Sequence, residues 1–143
     1  MNSNLKYQSA LSNSNFVIEV SEFFGLIAES LHHALRQISD ITNVPTEKAY
    51  ALITEEYGLR TRLGILRSDA PNRTVQIVSI SQEELTDLLK KISVFIKDSR
   101  SVDELAFVVN TVATLCVSIF PGKHESVNFL IAQLQQILKS TQD

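Results

Sequence analysis

The feature that most constrains the fold is a helix start that carries both halves of a capping box. In residues 80–85 (ISQEEL), Ser81 can accept a hydrogen bond from the amide of Glu84, and Glu84 can accept one from the amide of Ser81. The apolar residues that follow recur at three- and four-residue steps on one helix face: Leu85, Leu88, Leu89, Ile92, Phe95 and Ile96. The pattern predicts a helix over residues 82–98.

Helical spacing of apolar residues recurs in four other stretches. They predict helices over residues 16–40, 46–67, 102–120 and 124–140. Ser101 and Glu104 form a second capping box at the start of the fourth predicted helix, and Pro45 suits the first turn of the second. The sequence therefore predicts an all-α fold, a compact bundle of about five helices.

One short segment, residues 74–80, alternates like a strand. The sequence offers it no obvious partner strand, and a lone strand would leave backbone donors and acceptors unpaired. We expect either an extended strap across the bundle or an edge that another chain completes, and we favour the strap.

Length and composition predict one domain. The chain has 143 residues, of which 44% are hydrophobic, and its interior has no Gly/Ser/Pro-rich linker. We expect a single helical domain over residues 16–143, preceded by a flexible, polar N-terminus over residues 1–15. That N-terminal stretch lacks the apolar core of a signal peptide.

The single cysteine, Cys116, excludes an internal disulfide and a cysteine-rich zinc site. Its apolar neighbours predict a buried structural thiol, and the low cysteine content favours a cytoplasmic location. The most apolar segment, residues 105–120, is shorter than the roughly 20 residues that span a bilayer. No membrane association is expected.

The sequence lacks the motifs of catalysis and cofactor binding. It contains no Gly-x-Ser-x-Gly and no glycine-rich phosphate loop. Glu29 and His32 have the Glu-x-x-His spacing of di-iron bundles, but a second copy is missing. We expect no metal, no cofactor and no enzymatic activity.

Four arginines near the end of the second predicted helix form the one local concentration of charge. They are Arg60, Arg62, Arg67 and Arg73. Their guanidinium groups could bind an acidic partner or a nucleic-acid backbone. The favoured alternative is a solvated face paired with nearby glutamates, because a chain of net charge −3 lacks the basic character of a nucleic-acid binder.

Phe23 and Phe24 are the second candidate for partner binding. Adjacent residues point about 100° apart on a helix, so both are buried only if the helix is covered over a wide arc. Residues 102–120 are also apolar nearly all round. This apolar surplus predicts a partner surface, and a symmetric homodimer would bury it.

Together these features predict a non-enzymatic interaction or regulatory protein of adaptor type. It would bind a protein partner through a hydrophobic helix surface rimmed by arginines. The alternatives are a small helical subunit of a nucleic-acid-handling complex and a ligand-binding helical bundle.

The capping box generates the first prediction. Replacing Ser81 by alanine removes the acceptor of one helix-terminal amide, and should lower the free energy of unfolding by about 1 kcal/mol in urea titrations. Partner binding should not change. A loss of binding at unchanged stability would contradict the structural role.

Overall fold

Five α-helices make up most of the chain in a computed structural model, which describes residues 8–41 and 46–140. The helices are α1 (Ser14–Ile41), α2 (Thr46–Ser68), α3 (Gln82–Asp98), α4 (Val102–Ile119) and α5 (His124–Ser140). The all-α prediction is confirmed, and each boundary lies within two residues of the predicted one. The predicted break at residues 42–45, with Pro45, lies outside the described residues, as do residues 1–7.

The helices close into a ring around one apolar core. α1 packs against α2 and α3, α2 packs against α4, α4 against α5, and α5 returns to α3. Because α1 has a neighbour on both sides, its apolar arc is covered within the chain. Phe24 is fully buried and Phe23 is half-buried against the core. Phe24 is a core residue and Phe23 packs against the core, so the prediction that these rings present a partner-binding surface is corrected.

The two capping boxes differ in the structure. Ser81 Oγ accepts from the amide of Glu84 at 3.1 Å, and Glu84 Oε1 accepts from the amide of Ser81 at 3.0 Å. At α4, Ser101 Oγ accepts from the amide of Glu104 at 3.3 Å, but the Glu104 carboxylate accepts from the hydroxyl of Ser99 instead. The first box is complete and the second is half formed.

An irregular strap connects α2 to α3, in place of the extended strap that we favoured from the sequence. After a 3₁₀ turn at Ala70–Asn72, the chain runs to α3 without regular secondary structure, with bends at Gln76, Ser79 and Ile80. Its backbone pairs within the chain: the amide of Ala10 donates to Ile80 O at 3.0 Å, and the amide of Val75 donates to Leu11 O at 2.9 Å. The strap therefore needs no second chain to complete it.

Asn128 of α5 holds the middle of the strap. Its Oδ1 accepts from the amide of Ser79 at 2.8 Å, and its Nδ2 donates to Ile77 O at 3.1 Å. Ile77 has a φ of 63°, a left-handed conformation that is rare for a β-branched residue. The pair of hydrogen bonds from one side chain compensates for this local strain.

The segment that pairs with the strap belongs to the predicted flexible N-terminus. Ala10 and Leu11 are fully buried, and helix α1 already begins at Ser14. The polar composition of this stretch predicted flexibility. In the structure, its backbone forms hydrogen bonds with the backbone of the strap. In the structure, residues 8–13 are part of the packed domain.

A buried glutamine joins the N-terminal segment to two helices. Gln82, the first residue of α3, accepts from the amide of Leu11 at 3.0 Å through Oε1. Its Nε2 donates to Phe16 O at 3.1 Å and to Glu19 Oε1 at 2.8 Å. Each polar atom of the buried amide has a partner, as burial of such a group requires.

Replacing Gln82 by alanine should destabilise the fold. The change leaves the buried amide of Leu11 without an acceptor, which costs about 2 kcal/mol. Urea unfolding measures the difference. Gln135→Ala is the matched control, because Gln135 is exposed on α5. Equal stabilities of the two variants would contradict the joining role of Gln82.

Candidate binding groove between α1 and α2

The four arginines do not form one surface. Arg60 and Arg67 are two helical turns apart and both reach α1, where Arg60 Nη2 lies 3.2 Å from Glu29 Oε2 and Arg67 Nη1 lies 3.7 Å from Glu22 Oε1. Because α1 and α2 are antiparallel, Glu22 lies opposite Arg67 and Glu29 lies opposite Arg60. These arginines hold the two helices in register.

Arg62 and Arg73 lie elsewhere. Arg62 is two residues from Arg60 and so points about 160° away from it. It is half-buried and lies close enough to Cys116 of α4 to act on that thiol electrostatically. Arg73 Nη1 donates to Phe120 O at 3.1 Å, and its guanidinium lies 4.9 Å above the Phe120 ring. Arg73 therefore ties the strap to the end of α4.

Asp69 completes the environment of Arg73. Its Oδ2 lies 3.0 Å from Arg73 Nε, one helical turn earlier in the sequence. This contact is an ion pair without hydrogen-bond geometry, because Nε has no hydrogen-bond partner among the described residues. The Arg73 guanidinium is thus held by the ion pair with Asp69, by the Phe120 ring and by the carbonyl oxygen of Phe120.

A cluster of mixed charge connects α1 and α2 around Arg60. Glu56, whose side chain is only 13% exposed, accepts from Arg60 Nε at 3.0 Å and lies 3.4 Å from His32 Nδ1. His33 Nε2 lies 3.7 Å from Glu29 Oε1. The hydrogen bond to Glu56 raises the pKa of Arg60, with a smaller contribution from Glu29 and a partial offset by burial.

The histidines of this cluster lie beside carboxylates of the cluster and not in a metal-binding arrangement. Glu29 pairs with His33 and Arg60, whereas His32 pairs with Glu56 of the next helix. Across residues 8–41 and 46–140, no three metal-binding side chains converge. The Glu-x-x-His spacing at residues 29–32 is thus used to join helices.

A groove of about 430 Å³ opens beside the cluster, between α1 and α2. Its lining combines apolar side chains with three polar groups: His32, Leu35, Arg36, Ala49, Ile53, Glu56 and Tyr57. An apolar floor with a few convergent polar groups is the usual composition of a binding site. The groove can hold apolar side chains and orient them by hydrogen bonds at its edge.

The outer face of α2, at the edge of this groove, carries an exposed row of apolar side chains. Tyr50, Ile53 and Tyr57 have the i, i+3, i+7 spacing of one helix face and are 65%, 39% and 70% exposed. The opposite face of α2 is buried in the core through Leu52 and Leu59. We name Tyr50, Ile53 and Tyr57 the α2 ridge. Sequence reasoning missed it, although its spacing was visible.

The cysteine is a buried thiol. Cys116 is fully buried, as predicted, and burial raises the pKa of its thiol to about 12. The positive charge of Arg62 lowers that pKa only in part. At neutral pH the thiol is protonated, so it is not a nucleophile in this conformation.

Comparison with known proteins finds no relative of this chain. No protein-family model, no curated protein and no solved structure matches the chain significantly. The groove, the α2 ridge and the charges between α1 and α2 are thus the observations that bear on function.

Reversing the charge of Arg60 tests the cluster. Arg60→Glu would place a third carboxylate beside Glu29 and Glu56, and we expect a loss of about 1 kcal/mol after solvent screening. Urea titrations at low and high salt measure it, and the loss should shrink as salt rises. Arg100→Glu is the control, because Arg100 is exposed and has no ion pair among the described residues. Indistinguishable variants would contradict the role of the cluster.

Proposed function

We propose that this chain is a non-enzymatic interaction protein of adaptor type, which binds a segment of a protein partner in the α1–α2 groove. The observation that carries the proposal is the α2 ridge. Two tyrosines and an isoleucine stand exposed on a helix whose opposite face already supplies its core contacts. Folding does not require this second apolar face, so binding is its best explanation.

Tyrosine side chains favour a protein partner over other classes. Each offers a large rigid ring and a polar hydroxyl, and tyrosine is enriched where interfaces concentrate their binding energy. Neither the Tyr50 hydroxyl nor the Tyr57 hydroxyl has a hydrogen bond to another described residue, whereas the backbone carbonyl of Tyr57 accepts from Thr61 Oγ1 at 3.0 Å. An amphipathic helix or an extended segment could place apolar anchors in the groove and accept hydrogen bonds from these hydroxyls.

The charged edge of the groove would set orientation. Arg36 lines the groove, and Arg60 lies beside it in the cluster with Glu29 and Glu56. Edge charges usually contribute more to specificity than to affinity. In the proposed hydrophobic surface, the arginines at the rim are thus Arg36 and Arg60.

A small apolar ligand with a polar head is the second candidate for the same groove. His32, Arg36 and Glu56 converge on an apolar volume of about 430 Å³, which is in the size range of ligand sites. Native mass spectrometry of protein purified from its source tests this candidate. A species heavier than the 16.0 kDa chain by a constant small mass would favour the ligand.

The arginines give little support to a nucleic-acid partner. Arg60, Arg67 and Arg73 each lie against a carboxylate, and the set spreads over separate sides of the bundle. A phosphate backbone would need several uncompensated charges on one face.

Serine substitutions on the α2 ridge test the proposal. Tyr50→Ser with Tyr57→Ser should leave the fold intact, because both rings are largely exposed. Affinity capture from a lysate of the source, quantified by mass spectrometry, should show partner recovery reduced at least about tenfold, as expected when interface aromatics are removed.

Leu26→Ser with Val94→Ser is the matched control. These residues are exposed apolar side chains on α1 and α3, away from the groove. The control should retain the partner as the unmodified chain does. Equal recovery by the ridge variant and the control would contradict the proposal.

A further inference from the structure

The middle of the α4–α5 hairpin has no charged side chain. Residues 105–122 and 126–138 contain no Asp, Glu, Lys or Arg, whereas charged residues make up 20% of the chain. The charges of this region lie at the two ends of the hairpin: Lys123 and Glu125 at the connection, and Asp103, Glu104 and Lys139 at the other end. Absence of charge is the compositional mark of the centre of a protein interface.

The outer side of this hairpin is also apolar and grooved. Phe107 and Phe129 are 58% and 63% exposed, and Val117, ten residues after Phe107 on α4, is also exposed. Phe107 in addition lines a pocket between α2 and α4, together with Lys48 and Asp103. A shallow groove of about 400 Å³ runs between the helices, with Glu125 at one end. Its other lining residues are neutral: Thr114, Ser118, Ser126, Phe129 and Leu130.

Two threonine hydroxyls on the α4 side of this face are already bonded to the backbone. Thr111 Oγ1 donates to Phe107 O at 2.9 Å, and Thr114 Oγ1 donates to Asn110 O at 2.8 Å. A covering surface therefore does not have to supply acceptors for these donors. Burying them costs less than burying hydroxyls that depend on water.

We propose that a second copy of this chain docks on the α4–α5 face and forms a symmetric dimer. A two-fold interface brings residues near its axis against their own copies. A charged residue there would face its own sign, whereas rings, methyl groups and amides can each pair with their like. The middle of the hairpin meets this condition, because residues 105–122 and 126–138 are uncharged and Glu125, the one charged residue that lines the groove, lies in the first turn of α5.

The size of the face sets the expected strength of the dimer. The 18 residues of α4 span about 27 Å, and two helices packed side by side give a face about 20 Å wide. Each protomer would bury roughly 500 Å², near the lower limit of about 1,000 Å² in total for a specific interface. We therefore expect a reversible dimer with a micromolar dissociation constant.

A lipid bilayer is the less favoured occupant of this face. Within the described residues, α4 is the one helix long and apolar enough to cross a membrane, and half of that stretch is buried in the bundle. Its exposed side carries Asn110, whose amide would lack partners in hydrocarbon. A second protein surface can provide such partners.

The dimer surface keeps one of the two helices that the sequence suggested and drops the other. Homodimerisation was expected from helices 16–40 and 102–120, with a ribbon of residues 74–80 across the same axis, and the proposed face uses the second of these helices, α4. In the structure α1 is covered by α2 and α3, and the strap pairs with residues 8–12 of its own chain. The α4–α5 face and the α1–α2 groove occupy non-adjacent sides of the ring, so the two proposals are independent.

Sedimentation equilibrium over a concentration series from about one to several hundred micromolar, the range that brackets a weak interface, tests the proposal. The unmodified chain should approach twice the 16.0 kDa mass of one protomer as concentration rises. Thr114→Arg puts a charge in the middle of the exposed α4 face and should weaken association at least about tenfold. Val94→Arg, an equivalent change on α3, should have no effect.

Mixing opposite charges makes the test specific for a two-fold axis near α4. Thr114→Arg and Thr114→Glu should each be monomeric, and an equimolar mixture should regain the dimer. A monomeric unmodified chain at the highest concentration would overturn the proposal, as would a dimer insensitive to both substitutions. Co-flotation of the chain with phosphatidylcholine vesicles, abolished by Thr114→Arg, would assign the face to a bilayer instead.

The experiments distinguish failure of the dimer proposal from failure of the groove proposal. Tyr50→Ser with Tyr57→Ser should leave the sedimentation profile unchanged, because the α2 ridge is not part of the α4–α5 face. Thr114→Arg should retain the groove and its partner. A dimer lost through the ridge variant would contradict the assignment of the dimer to the hairpin.

Discussion

The hydrogen bonds at the start of α3 are the constraint on which the rest of the structure depends. Ser81 caps the helix, and the next residue, Gln82, turns its amide into the core to bind Leu11 and α1. These bonds fix where the strap ends and where α1 begins relative to α3. Because α1 and α3 flank one another along their length, the register set at this point extends through the ring.

The position of α2 in the ring explains why it carries apolar residues on two faces. One face packs against α1 and α4 and contributes Leu52, Leu59 and Leu66 to the core. The other face has no neighbouring helix among the described residues, and its tyrosines add nothing to the core. The exposed aromatic side chains at helical spacing are the observation on which the proposed partner surface rests.

Local patterns predicted the elements, whereas long-range partners decided the surfaces. The helix at residues 82–98 was predicted because its cap and its apolar stripe are both encoded within a few residues. The arginine surface was predicted because the four arginines are close in sequence. In the structure, helical geometry separates Arg60 from Arg62, and Arg60 forms an ion pair with Glu29 of α1. The pairing of Leu11 with residues more than sixty positions away had no local signal.

The hairpin, whose charges lie only at its two ends, suits a different kind of contact from the charged α1–α2 side. A partner of different sequence can complement fixed charges, so the Glu56–Arg60 pair and His32 suit recognition of a second protein. A copy of the same chain cannot complement charges near a two-fold axis, so self-association requires a neutral surface such as the α4–α5 face. With both surfaces on separate sides of the ring, a dimer would carry two partner grooves, and a bivalent partner would bind it more tightly than it binds one protomer.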